Sequence, residues 1–507
     1  MKFNKIVALA LALVMVFALC ACGGQTNDPQ TASGEKILNV AASFAYPSLD
    51  AHKEYYGWYT SIYGVTETLF KMGDDSTAQP CLAEDAVADG KTWTVTLKDD
   101  VCFSNGEPVT AEMAARNLQR AAQVNPRFAF LADYTIAAVD ETTLTITTPE
   151  ISPTLKNDLA SPELAILDLD NTTDFDNAPI GTGPFVVSSF EPEGTVKVAR
   201  NDNYWGGDVT LDGAVFYYMQ DDDTKLMAMQ NGEVDCCTGV SSAAMAVFEK
   251  EPDTYRIVSV PATRLQFYIL NENRLDDAVR AAVNLTVDKD AIAEYLNGTV
   301  TAAVGPFGTA TAYGKVTVPA TDTAGAKALL EADGYTLNAD GWYEKDGKVL
   351  SLNIAYYAAR SLDTLATLIQ EQLRNVGIQS TLTVEEDPDS TYIATADFDL
   401  ALYCMIADKS GDPFYFIDST LRNGAYFNVG GFESSECETL IAQLRYETDP
   451  AQRAALANEI VQIAIDDNAF GYVGLFNKTT VLRPGVSGFA ETCPFDFYGI
   501  DANTDKT

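Results

Sequence analysis

The chain has 507 residues, 72 acidic against 33 basic side chains and one histidine, for a net charge of −39. Such a surface repels a phosphate backbone, which excludes nucleic acid as a partner, and any triad or histidine-bearing metal site would rest on His52 alone. Hydrophobic residues make up 47% of the chain, the share of a packed globular protein, and the length is more than one core fills, so two lobes or more are expected.

Met1-Lys-Phe-Asn-Lys5 carries two positive charges and leads into the uncharged apolar run Ile6–Ala21, the pattern of an export signal. The run is shorter than the about 20 residues that span hydrocarbon and ends in Leu19-Cys20-Ala21-Cys22-Gly23. Leu-x-Ala-Cys followed by glycine is similar to a bacterial lipobox. This implies a signal over residues 1–21, a lipid on Cys22, and a chain held on the outer face of the cell membrane (the periplasmic side where there is an outer membrane) without spanning it. Residues 22–35 are polar and rich in turn formers, as a flexible tether is. The seven other cysteines are odd in number and form no C-x-x-C pair, so buried thiols are expected in place of a disulfide framework.

Thr92–Leu97 alternates polar and apolar residues and reads as a half-buried strand. Val101–Phe103 before Asn105-Gly106 reads as a second short strand ending in a turn. Thr110 offers an N-cap hydroxyl to a helix over Ala111–Ala122. Further strands are expected at Thr143–Thr148, Thr195–Ala199 and Ala214–Met219. In the second half, strand Val349–Tyr357, helix Leu362–Asn375 stopped by Gly377, and strand Gln379–Glu385 form a βαβ crossover, which requires a parallel pair. Asp397–Met405 adds a strand, and Cys437–Tyr446 and Pro450–Ile465 add helices. The fold class is therefore α/β with mixed sheets in at least two lobes.

Catalysis has no positive sign. The chain contains no G-x-S-x-G, no P-loop and no G-x-G-x-x-G at a strand–helix turn. Gly181-Thr-Gly183 is followed directly by Pro184, so it cannot open a phosphate-binding helix. Gly181 and Gly183 instead suit a place where backbone segments approach closely.

Several segments together resemble the family 5 extracellular solute-binding proteins of ABC importers, which include oligopeptide, dipeptide and nickel-chelate receptors. They are Glu67–Phe70, Pro80–Glu84, Gly90–Lys98, Val101–Glu112, Gly181–Phe185, Arg200–Gly207, Gln230–Asp235, Val279–Asn284, Ala324–Leu330 and Gly411–Pro413, in the family's order. The resemblance implies a periplasmic-binding-protein-like fold of type II, in which two lobes close about a hinge on a ligand in the cleft between them. Lobe I would take residues 36–261 and 484–507, and lobe II residues 262–483, with crossings near 261 and 483. A monomer would capture its ligand and deliver it to a permease, with ATP hydrolysis left to separate ATPase subunits, no cofactor and no enzymatic step. A surface sensor or adhesin that feeds no importer is the reading from another class.

By the same resemblance an aspartate at or shortly before Asp412-Pro413, Asp408 first and Asp412 as the alternative, would pair with a peptide's amino group. The residues themselves let either cap the helix from Phe414, Asp412 above all since it stands before Pro413. Arg127 matches an arginine of the nickel-chelate branch and Phe130 stands where that branch has tryptophan. A second arginine of that branch falls at Glu163, and this charge reversal favours a ligand with a cationic group. The first expectation is therefore an oligopeptide or dipeptide, and a nickel chelate is the alternative. Tyr46, Tyr55, Tyr59 and Tyr403 complete the cleft candidates, and His52 is read as structural with no metal ligated by the protein.

Overall fold

The computed structural model describes residues 34–489 and 491–507. The signal at 1–21, Cys22 and the tether up to residue 33 lie outside the described residues. One mixed sheet of eleven strands runs through the molecule. Ten of them are β1 (Ile37–Ala42), β2 (Phe185–Phe190), β3 (Val196–Arg200), β4 (Gly213–Tyr218), β5 (Cys236–Thr238), β6 (Arg256–Leu270), β7 (Ser351–Tyr357), β8 (Gln379–Glu385), β9 (Leu400–Ile406) and β10 (Phe470–Leu482). Their spatial order is β8-β7-β9-β6-β10-β5-β1-β4-β3-β2, and Val300–Ala302 pairs with β10 off this path.

Two long antiparallel strands carry the sheet from one lobe to the other. The outer part of β6 pairs with β10 from Arg256↔Leu482 to Pro261↔Asn477, and the inner part from Leu265↔Leu475 onward. Between Pro261 and Leu265 the register shifts, the local bend that an extra residue forces on a strand. The apolar cores follow the same division. Two clusters draw their buried members from residues 265–475 only, and the others draw theirs from residues on either side of that span. No cluster mixes the two, so each lobe is packed on its own and the strands crossing between them carry little apolar packing.

In the first lobe a separate four-stranded sheet, with Thr92–Leu97 at its centre, packs with helix α2 (Ala111–Val124), which follows helix α1 (Tyr56–Ile62). Thr110 caps α2 by accepting from the Met113 amide at 3.1 Å. Val101–Phe103 does not form the expected strand: only Cys102 bridges Pro108 across the Asn105-Gly106 turn, whose span is too short for a ladder. A short helix, α3 (Leu155–Asp158), follows. A Cβ on Gly181 or Gly183 would lie 2.2 Å from the Val65 or Gly64 carbonyl oxygen, so the glycines permit a close backbone approach. In the second lobe, β7, helix α4 (Leu362–Val376) and β8 form the crossover. Gly377 ends the helix at φ +94, and the parallel register starts at Ser351↔Gln379. The described cysteines are free thiols, and all but Cys102 are buried.

Candidate ligand cleft

The first-lobe wall is built on α1. Gly57 lets this helix lie directly on the turn at Pro162–Leu164, since a Cβ there would sit 2.5 Å from the Pro162 carbonyl oxygen. That contact brings Trp58 beside Glu163. Glu163 is 4% exposed, and burial raises its carboxyl above the usual range against the pull of Arg127, Trp58 and Lys409. Asn125 caps the 3-10 segment Pro126–Asp133, which sets the Arg127 guanidinium 4.1 Å from the Tyr55 ring centre, a cation–π contact. The Tyr46 and Tyr59 rings pack tilted by 30° with centres 3.7 Å apart, and the Tyr59 hydroxyl donates to that of Tyr46. Phe130 turns toward Phe128 and Tyr134 and is 39% exposed.

The second-lobe wall is the end of β9 and the loop after it. Asp408 is 4% exposed. One of its oxygens accepts from the Tyr313 hydroxyl at 2.5 Å and the other from the Gly411 amide at 2.6 Å. Burial, opposed by these bonds, pushes its carboxyl up to about 6. Both oxygens are thus engaged inside the second lobe, and this geometry does not present Asp408 as an open partner for a ligand amine. Asp412 does take the capping role: it accepts from the Phe414 amide at 2.8 Å at the start of helix α5 (Phe414–Thr420) and pairs with Arg453 at 2.6 Å. Lys409, between them, lies 3.4 Å over the Tyr415 ring. Burial and the facing Arg127 push its ammonium down to about 8, against the pull of Glu163. Tyr403 donates to Asp389 at 3.0 Å and packs with Tyr357 and Phe427.

The two walls touch. Asn157 on α3 donates to the Ser410 and Gly411 carbonyls at 2.7 and 3.3 Å, and the Tyr446 hydroxyl donates to Glu150 at 2.5 Å. Glu163 lies within the pull of Arg127 from its own lobe and of Lys409 from the other, so its charge does not stand alone in the cleft. His52 is fully buried. Its Nε2 donates to the Ala165 carbonyl at 2.8 Å and its Nδ1 accepts from Arg120 at 2.8 Å. Desolvation lowers its pKa to about 4, which fits a neutral structural imidazole.

A family model for bacterial extracellular solute-binding proteins, family 5 Middle, matches residues 77–428. The chain belongs to that family. It is 24% identical to the nickel-binding protein NikA of Staphylococcus aureus over 99% of each chain. It is also 24% identical to the dipeptide-binding protein DppE of Bacillus subtilis over 96% of each. A nickel ABC transporter structure from Bacillus halodurans superposes with a TM-score of 0.85 at 26% identity, covering 93% of this chain and 100% of that one. The protein is accordingly an extracellular solute-binding receptor with the two-lobed type II fold. It works with ABC permease partners and is not an enzyme.

The receptor's cleft also contains residues that sequence patterns did not single out. Lys409 and Tyr415 come from the second lobe, as do Arg264 on β6 and Arg360 after β7, while Asp496 comes from the C-terminal tail of the first. Among the described residues, Arg127, Arg264, Arg360 and Lys409 have no acidic partner within 4.0 Å, whereas Arg116, Arg120, Arg200 and Arg453 are each paired. Where acids outnumber bases 72 to 33, unpaired cations on a cleft wall are a readable signal, but only once the fold has placed them. The residues brought together here are Tyr55, Arg127 and Glu163 with Lys409; Tyr46 and Tyr59 lie toward Asp496, and Tyr403 lies beside Tyr357.

Proposed function

We propose that this receptor gathers a small, carboxylate-bearing ligand for its importer, and that a nickel chelate is the first reading. The observation that carries it is the set of cations on both walls, Arg127, Arg264, Arg360 and Lys409, without acidic partners. Guanidinium groups suit carboxylate oxygens in pairs, and a chelator would bring its own metal donors, since His52 is committed to Ala165 and Arg120. Similarity to NikA of Staphylococcus aureus supports this reading. A dipeptide or oligopeptide is the second, favoured by Glu163 and Asp496, which place carboxylates for an amine beside the same cations.

In this reading a monomer closes about a hinge at the register shift of β6. The second crossing lies better at Leu475–Asn477 than near 483, because Thr480–Leu482 pairs with β5 of the first lobe. Lobe I would then take residues 36–261 and the tail beyond about 477, and lobe II the span between. A lipid on Cys22 would hold the receptor at the membrane. Cys22→Ala should move the protein from the membrane fraction to the medium with ligand affinity unchanged; retention at the membrane would refute the anchor.

Calorimetric titration with nickel(II)–L-histidine and with dipeptides tests the ligand class. Arg127→Gln should weaken binding of the nickel complex about tenfold with only a small fall in Tm, because Arg127 has no ion pair within 4.0 Å to lose and gives up only its contact with the Tyr55 ring and its pull on Glu163. Binding of dipeptides alone would select the second reading, and binding of neither would overturn the ligand class.

A further inference from the structure

Gly411, in one of the segments that carry the family resemblance, packs against the other lobe. A Cβ on it would run into the Ser76 carbonyl oxygen and the Met72 methyl and would lie 3.0 Å from the Ser76 carbonyl carbon. Ser76 sits in the turn of the first-lobe hairpin that pairs Phe70–Met72 with Ala78–Pro80. It is 3% exposed although Asp75 and Thr77 on either side are exposed, and its cover is the second-lobe turn at Gly411. Both residues are left-handed, Ser76 at φ +60 and Gly411 at φ +71. A serine held in that region is strained, and only surroundings that fix it can keep it there. Asn157 on α3 grips the same turn from the first lobe, donating to the Ser410 and Gly411 carbonyls. Every second-lobe atom in these contacts is main chain.

A main-chain turn can fit a socket only if its own shape is fixed, and Asp408 fixes this one. The Gly411 amide donates to one carboxylate oxygen at 2.6 Å, which closes the turn on itself. The Tyr313 hydroxyl donates to the other at 2.5 Å. Tyr313 packs edge-on against Phe307 with ring centres 5.1 Å apart, and Phe307 packs the same way on Phe416 at 5.7 Å. All three rings belong to the buried core of the second lobe. An unbroken line of contacts therefore runs from that core through Asp408 to the turn that meets the first lobe.

We propose that the Ser410–Gly411 turn is a key that seats between Ser76 and Asn157 and holds the lobes together in the absence of ligand, with Asp408 as the positioning residue that sets it. The buried carboxylate serves closure in place of a ligand's amine. A key of main-chain atoms has no side chain to retract, so its fit depends on there being no Cβ at residue 411. A ligand bound by the closed form loses apparent affinity in proportion as that form is depopulated. Unseating the key therefore weakens every ligand by a common factor, whichever class it belongs to.

The test is small-angle X-ray scattering of the ligand-free protein, refolded from urea to strip any bound molecule, with Tm as the folding control. Gly411→Ala should enlarge the radius of gyration relative to wild type. Gly424→Ala is the matched control: Gly424 stands in the same lobe at φ +68 with nothing within 4 Å of its Cβ position. It carries the backbone strain alone and should keep the wild-type radius. Asn157→Ala removes the other grip without touching the second lobe and should enlarge the radius as well. Asp408→Asn, which keeps one acceptor oxygen, should do the same, whereas a residue that only met a ligand's amine would leave the empty protein unchanged. An unchanged radius in Gly411→Ala or in Asn157→Ala overturns the key. So does equal enlargement in Gly424→Ala, which would assign the effect to strain, and so does a ligand-free wild type already as large as the variants. A wild-type radius in Asp408→Asn alone overturns the positioning role.

Discussion

Arg453→Leu is expected to make the second lobe about 3–5 kcal/mol easier to unfold. Arg453 is 7% exposed, and its guanidinium ties three segments together. It donates to Asp412 at 2.6 and 3.0 Å, to the Leu444 carbonyl at 2.6 Å where the preceding helix ends, and to the Glu447 carbonyl at 2.9 Å. Without it, Asp412 keeps the Phe414 amide but stays in a recess that also faces Asp408 and Asp158. An unanswered carboxylate there costs far more than the net worth of the pair, because its desolvation is no longer offset. Arg453→Leu with Asp412→Asn should therefore recover a large part of the loss. Urea unfolding of wild type, both single variants and the double variant gives the coupling directly. Equal losses in Arg453→Leu and the double variant would show that the two carbonyl contacts, not the ion pair, hold the loop.

The same loop shows what sequence can and cannot reveal. The cap by Asp412 was legible because it is local: a carboxylate two residues before a helical amide acts within one turn. The fate of Asp408 was not, because its partner Tyr313 lies 95 residues away. The surroundings of Glu163 were hidden for a related reason. Its reversed charge is visible in the sequence, but the Lys409 that faces it arrives from the other lobe. The crossover from Ser351 to Glu385 was readable because periodicity and Gly377 are local signals. The Val101–Phe103 strand was misread because pairing, not propensity, decides whether so short a segment is a strand. Two lobes followed from length and a crossing near 261 from the resemblance, whereas the proposal of the other crossing at Leu475–Asn477 needed the pairing of β10 with β5 and β6.

Lobe closure should strengthen as the solution is acidified from about pH 8 to pH 5, through Asp158. This residue ends α3 next to Asn157, which makes hydrogen bonds across the junction to Ser410 and Gly411. The groups facing its carboxyl are Thr154, whose hydroxyl donates at 3.2 Å, and Tyr134 from the same lobe, with Asp412 and Arg453 from the other. Burial, then the charge of Asp412, pushes Asp158 up to about 7, against about 4 for a carboxyl in water. A pKa raised by closing means that closing takes up a proton. The stabilisation is complete below about pH 4, where the open form is protonated too, and it is lost as pH rises through about 7. Between those limits closure should gain up to about 1.4 kcal/mol per pH unit. Fluorescent labels at Val87→Cys and Val384→Cys, both exposed sites on opposite lobes, in a Cys102→Ser background would report closure by energy transfer. Asp158→Asn should close at pH 8 as readily as wild type does at pH 5 and show a flat pH profile. If the variant keeps the wild-type slope, the proton is taken up elsewhere, and Asp408, pushed up to about 6 by its own burial, becomes the group to replace.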